Sequence, residues 1–129
     1  MKVLFDTNVI LDLLLDRSEF VDDASVLISK VDTNEIDGFL CATTITTIHY
    51  LLEKSLNTTQ AAKHIKTLLN IFDIAPVSSE TLEKALNPKF TDYEDSVLHE
   101  AALAVDVDSI VTRDYSGFKN SKILSPQNL

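Results

Sequence analysis

The chain has 129 residues, 45% of them hydrophobic, and a formal net charge of −9 at pH 7. That length buries one ordinary core, so a single domain over residues 1–129 is expected. The acidic balance excludes a protein that grips nucleic acid through a broad basic face, but it leaves room for an enzyme whose carboxylates hold a cation.

Lys2-Val3-Leu4-Phe5 reads as a short apolar strand ending at Asp6, and Asp6 or Thr7 is placed to cap a helix through Leu15. Asp12 and Asp16 break the apolar run from Val9 to Leu15 well short of a membrane span. A second helix fits Glu19 to Val31, with Val21, Ala24, Ile28 and Val31 on one face. Ile36 to Ala42 is a buried strand containing Cys41, the single thiol, which reads as a small buried hydrophobe in a reducing cytoplasm. Thr43 or Thr44 then caps a helix whose core stripe is Ile45, Ile48 and Leu52. Thr58 to Asn70 completes a helical hairpin with Ala61, Ile65, Leu68 and Leu69 inward, and Ile71 to Val77 is strand-like. Ser78 or Ser79 starts a short helix that Asn87-Pro88 stops. Thr91-Asp92-Tyr93-Glu94 matches a capping box ahead of a helix carrying Val97, Leu98, Ala101, Ala102 and Val105. Asp108 to Thr112 is another strand, and Lys122 to Leu124 a candidate last one. Strands alternating with helices predict an α/β fold of three layers, a mostly parallel central sheet flanked by helices.

Open parallel sheets bind ligands beyond the carboxyl ends of their strands. Three acidic features fall on that edge: Asp6 after the first strand, Asp92 and Asp95 opening a helix, and Asp114 after Ile110-Val111-Thr112. Singly, Asp6 or Asp92 is explained by helix capping, and Asp114 by a turn before Gly117. Converging, they repel one another, and such a cluster persists where a cation that prefers hard oxygen ligands, Mg²⁺ or Mn²⁺, binds. His49, His64 and His99 are too scattered for a zinc site.

These segments resemble a known family. Phe5-Asp6-Thr7-Asn8-Val9-Ile10-Leu11-Asp12 is similar to the opening strand and turn of PIN-domain proteins. Asp95-Ser96-Val97-Leu98-His99-Glu100-Ala101-Ala102 resembles their second signature, an Asp opening an alanine-rich helix. Ile110-Val111-Thr112-Arg113-Asp114-Tyr115-Ser116-Gly117-Phe118 resembles the third. The order and spacing span nearly the whole chain, and the Asp92-Tyr93-Glu94-Asp95 run looks like the stand-alone bacterial members related to VapC-type toxins.

The resemblance implies a ribonuclease in which Asp6, Asp95 and Asp114 hold Mg²⁺ or Mn²⁺, with Asn8 and Thr112 supporting them; Asp92 has no counterpart in the minimal family pattern but is placed to reach the metal through water. It also implies an RNA substrate, an antitoxin protein as partner and a homodimer. One position departs from the family. Many members carry a Glu six residues past a Ser or Thr in the helix after the second strand, and counting from Thr43 reaches His49. His49 is thus expected at the edge of the site or packed in the core, with Glu53 one turn further as a substitute carboxylate or a solvated one.

A haloacid-dehalogenase-like phosphatase needs a second acid two residues after the first, where Asn8 stands. A receiver domain needs an Asp at the end of a middle strand, and Asp73 falls inside one. The stronger alternative is a PIN fold that binds RNA or a protein without turnover, which metal titration separates from an enzyme. Lys54, Lys63, Lys66, Lys89, Arg113 and Lys119 are candidates to line an RNA path, although scattered surface lysines are the ordinary case.

Overall fold

The computed structural model describes residues 1–16, 21–87 and 89–112. The expected strand at Lys122 to Leu124 and the candidate ligand Asp114 lie outside them, as do Arg113 and Lys119. Among the described residues, the order is β1 (Lys2–Phe5), α1 (Thr7–Leu14), α2 (Val21–Asp32), β2 (Asp37–Cys41), α3 (Ala42–Ser55) and α4 (Thr58–Ile71). Then come β3 (Asp73–Ala75), α5 (Ser79–Lys84), α6 (Tyr93–Ala104) and β4 (Ser109–Val111). The four strands make one all-parallel sheet in the order β3-β2-β1-β4. The expected α/β layering is what the chain forms.

Strand alternation sorts the core into two halves. Val3 and Phe5 of β1, Leu40 of β2 and Val111 of β4 face a cluster that includes Ile10 of α1, Ile28 of α2, Ile48 of α3 and Leu68 of α4. Leu4, Cys41, Ala75 and Ile110 face the other way, onto Leu98, Ala101 and Ala102 of α6. The alanines let α6 lie close to the sheet, and it contacts both β2 and β3. Cys41 is buried and free, as its apolar setting predicts. Phe5 and Phe72 meet edge to face with centroids 5.3 Å apart, closing the seam between β1 and the end of α4. Gly38 of β2 sits beneath this seam: a Cβ there would stand 2.6 Å from Val31 Cγ1 and 2.8 Å from Phe72 Cδ1.

Three helices end at left-handed residues other than glycine. Asp16 (φ 51°) follows α1, Asn34 (φ 64°) follows α2, with the Glu35 N–H donating to Lys30 O, and Asp106 (φ 56°) follows α6, with the Val107 N–H donating to Ala102 O. The last of these turns the chain directly into β4.

Several sequence expectations are corrected in detail. The cap of α3 is Cys41, without a side-chain capping bond to the backbone, rather than Thr43 or Thr44. Thr46 instead returns its hydroxyl to Thr43 O inside the helix. The cap of α6 is Asp92, whose carboxylate accepts from the Asp95 N–H at 3.2 Å, so the cap falls one residue after the Thr91 expected from the Thr91 to Glu94 pattern. Helix α4 runs through Ile71 and shortens β3, and Leu69, expected inward, is 49% exposed.

Candidate active site

In the strand order, β1 leads to β2 and β3 on one side while β4 joins β1 on the other. The connections therefore diverge between β1 and β4, the place where parallel sheets leave a crevice at their carboxyl ends. Asp6 and Thr112 are the first residues past those two strands.

Asp6 is held from several directions. Its N–H donates to Val111 O at 2.8 Å, extending the β1–β4 pairing by one bond. Its Oδ1 accepts from the Thr7 N–H at 2.7 Å, capping α1. Its Oδ2 accepts from the Thr112 hydroxyl at 2.8 Å. Only 6% of Asp6 is exposed. Capping and site placement, alternatives from sequence, are thus one arrangement: fixing the carboxylate through the helix end also fixes where it faces.

A cleft of about 230 Å³ opens in front of it. Asp6, Asn8 and Leu11 from the α1 side, Thr47 and Leu51 from α3, and Asp92, Glu94 and Asp95 from α6 line it. The fold thus brings together Asp6, Asn8, Asp92 and Asp95 at one cleft, and ties Thr112 to it through Asp6. Asp92 is both cap and lining residue. Asp95 sits half-buried on the first turn of α6, where the helix dipole favours negative charge. Thr7 and Thr44 link hydroxyls at 3.2 Å, fixing α1 against α3 behind the cleft.

His49 is not among the lining residues. On α3 the cleft sees Thr47 and Leu51, one turn apart, and residue 49 points about 200° around the helix from residue 47. The expectation that His49 edges the site is corrected on this geometry. Counting six residues from Thr43 reaches a position on the other side of α3 from Thr47. Glu53 is also elsewhere, exposed and accepting from the Thr58 hydroxyl at 3.3 Å. Thr7, Thr47 and Glu94 are polar cleft residues that sequence reasoning did not place at the site. The signal for Thr47 was its i, i+4 spacing with Leu51 beside the Ile48–Leu52 core stripe. The signal for Glu94 was its place between the two candidate carboxylates of the same helix end.

Every polar side chain lining the cleft presents oxygen ligand atoms, apart from the amide nitrogen of Asn8. That donor chemistry fits a hard divalent cation such as Mg²⁺ or Mn²⁺ and not a soft one. Among the described residues, no three His, Cys, Asp or Glu side chains stand close enough to hold a metal ion together, and Asp114 lies outside that set. None of the described lysines proposed for an RNA path lines the cleft. Lys54 covers the Tyr50 ring at 4.7 Å. No helix among the described residues is long and apolar enough to cross a membrane.

Ribonuclease VapC1 of Aquifex aeolicus (strain VF5) is 29% identical over 120 residues, spanning 89% of this chain and 83% of that protein. The fold is similar to VapBC2 from Rickettsia felis, crystallised bound to a DNA fragment from its promoter (TM-score 0.69, 16% identity, 97% of each chain covered). It is similar too to Mycobacterium tuberculosis VapC20, a toxin that cleaves the sarcin–ricin loop (TM-score 0.70, 12% identity, 88% of this chain and 92% of that one). FitAcB from Neisseria gonorrhoeae superposes as well (TM-score 0.69, 19% identity, 98% and 99% covered). The family model described as PIN domain matches residues 2–116, which takes in β1, the cleft and β4, and the chain belongs to the PIN domain family.

Proposed function

We propose that this protein is a divalent-metal-dependent endoribonuclease, acting as the toxin of a toxin–antitoxin pair. The observation that carries the reading is Asp6, a nearly buried carboxylate held by Thr7 and Thr112 and facing a cleft shared with Asp95. The relative named ribonuclease VapC1 supports the reaction class, and the toxin name among the structural relatives supports the setting. Mg²⁺ or Mn²⁺, when bound, supplies charge to polarise a phosphodiester oxygen and to acidify water. Asp6 and Asp95, with Asp114, would hold it. Asp6 keeps both oxygens fixed by hydrogen bonds, so its alignment is set before substrate arrives. Asp92 orders the first turn of α6 and so positions Asp95. Asn8, exposed on the cleft wall, offers an amide to the RNA phosphate or sugar. The excess of acid in the cleft means that RNA approaches only once cation charge offsets it.

The test is cleavage of a structured RNA by purified protein with Mn²⁺ or Mg²⁺ and with excess EDTA. Metal-dependent cleavage lost in Asp6→Asn and Asp95→Asn is expected. A protein that binds Mn²⁺ at this cleft yet cleaves no RNA, alone or freed from a co-expressed antitoxin, would instead be a binding module.

A further inference from the structure

The α3 wall of the cleft carries no charge: Thr47 and Leu51 are what it presents. Across the gap, the Thr47 hydroxyl donates to Glu94 Oε1 in a long contact of 3.4 Å. This bond joins α3 to α6 at the cleft and reaches a residue 47 positions away in sequence. Glu94 is exposed and in the first turn of α6, where its charge would suit the helix dipole with no partner at all. Pointing it at the opposite wall instead brings a fourth carboxylate to a cleft already lined by Asp6, Asp92 and Asp95. Like charges so placed raise one another's cost unless a cation is shared.

Resting on the reading of the cleft as a cation site, we propose that Glu94 is an outer carboxylate of that site and that Thr47 is its positioning residue. Glu94 is exposed, with one carboxylate oxygen engaged by Thr47, so it acts across a layer of water. Its share of the attraction is Coulombic, sensitive to salt, and smaller than that of a direct ligand. The hydroxyl of Thr47 holds the carboxylate over the cleft rather than letting it swing into solvent. The positioning rests on one hydroxyl donor, kept by serine and lost by valine.

The experiment is Mn²⁺ titration by calorimetry at low and at moderate ionic strength. Glu94→Gln is expected to weaken binding roughly three- to tenfold, more at low salt. Thr47→Val should give part of that loss, Thr47→Ser should stay near the parent, and Thr47→Val should add nothing in a Glu94→Gln background. Glu35→Gln, an exposed acid on the turn that enters β2 at the opposite sheet edge, should bind as the parent does. If Glu94→Gln binds Mn²⁺ as the parent while Asp6→Asn loses it, Glu94 is a solvated first-turn acid and this inference alone falls. If Asp6→Asn also retains Mn²⁺, the cleft is no cation site and both readings fall. Equal effects of Thr47→Val in both backgrounds would remove Thr47 from its positioning role.

Discussion

Replacing Asp6 with Asn separates the cleft's chemistry from the fold that holds it. The amide oxygen of the substituted side chain can still accept from the Thr7 N–H, bonded at 2.7 Å in the parent, so the cap of α1 survives. The amide nitrogen takes the place of the oxygen that accepts from Thr112 at 2.8 Å. The Thr112 hydroxyl then rotates and accepts instead, since a hydroxyl serves either way. Two charge-assisted bonds become neutral ones, a loss of about 1 kcal/mol. Against this, one negative charge leaves a cleft that also holds Asp92, Glu94 and Asp95, a gain of similar size. Metal-free stability should therefore stay within about 1 kcal/mol of the parent. Holding Mn²⁺ at a hundred times its dissociation constant stabilises the parent by about 2.7 kcal/mol, on the order of 10 °C for a domain of this size. Thermal unfolding with Mn²⁺ and with EDTA, alongside RNA cleavage, reads both effects. Asp6→Asn should unfold near the parent in EDTA, lose the Mn²⁺ shift and lose cleavage. Should it keep the full shift and the full rate, the carboxylate assigned to the metal is the wrong one.

Asp92→Ser keeps a capping oxygen and should retain most of the cleavage rate, whereas Asp95→Ser should lose it; equal losses would reverse the order assigned to the two. Thr47→Glu adds a carboxylate at the cleft wall, so it should lower metal-free stability and enlarge the Mn²⁺-induced shift in unfolding temperature, while His49→Glu should leave that shift unchanged. A larger shift from His49→Glu would mean that α3 faces the cleft through its other side. Gly38→Ala forces a methyl against Val31 and Phe72 and should cost about 1–3 kcal/mol in denaturant unfolding, with no change in metal affinity relative to the folded fraction.

What the sequence revealed of this site depended on whether the signal was local. Asp6 stands at the end of an unbroken apolar run, the pattern of a strand buried on both faces, and the change to a polar residue marks where it stops. Asp95 opens a helix whose alanines mark the side that meets the sheet, so its rotation about the helix axis is settled by residues within two turns. The helix at Thr43 lacked any such marker. Four threonines at 43, 44, 46 and 47 each offer a capping hydroxyl, and their competition hid that the helix begins at Ala42. The count of six from Thr43 reached His49, two positions and about 200° around the helix from Thr47. Glu94 was absorbed into an apparent capping box because Thr91 and Glu94 have the right spacing. The real cap, Asp92, was chosen by where the chain arrives from α5, which no four-residue pattern contains. The bond from Thr47 to Glu94 joins residues that only the sheet order brings together.

The pairing of β1 with β4 joins Phe5 to Val111, so two neighbouring strands at the cleft come from segments more than a hundred residues apart. A ribosome translating this chain would carry Asp6 outside its exit tunnel long before Thr112 emerges to donate its hydrogen bond. Through that interval, the strand that presents Asp6 lacks its β4 neighbour, and the carboxylate lacks the hydroxyl that aligns it. The order of these segments along the chain means that Asp6 is made without the partner that aligns it, and gains it only once β4 has followed.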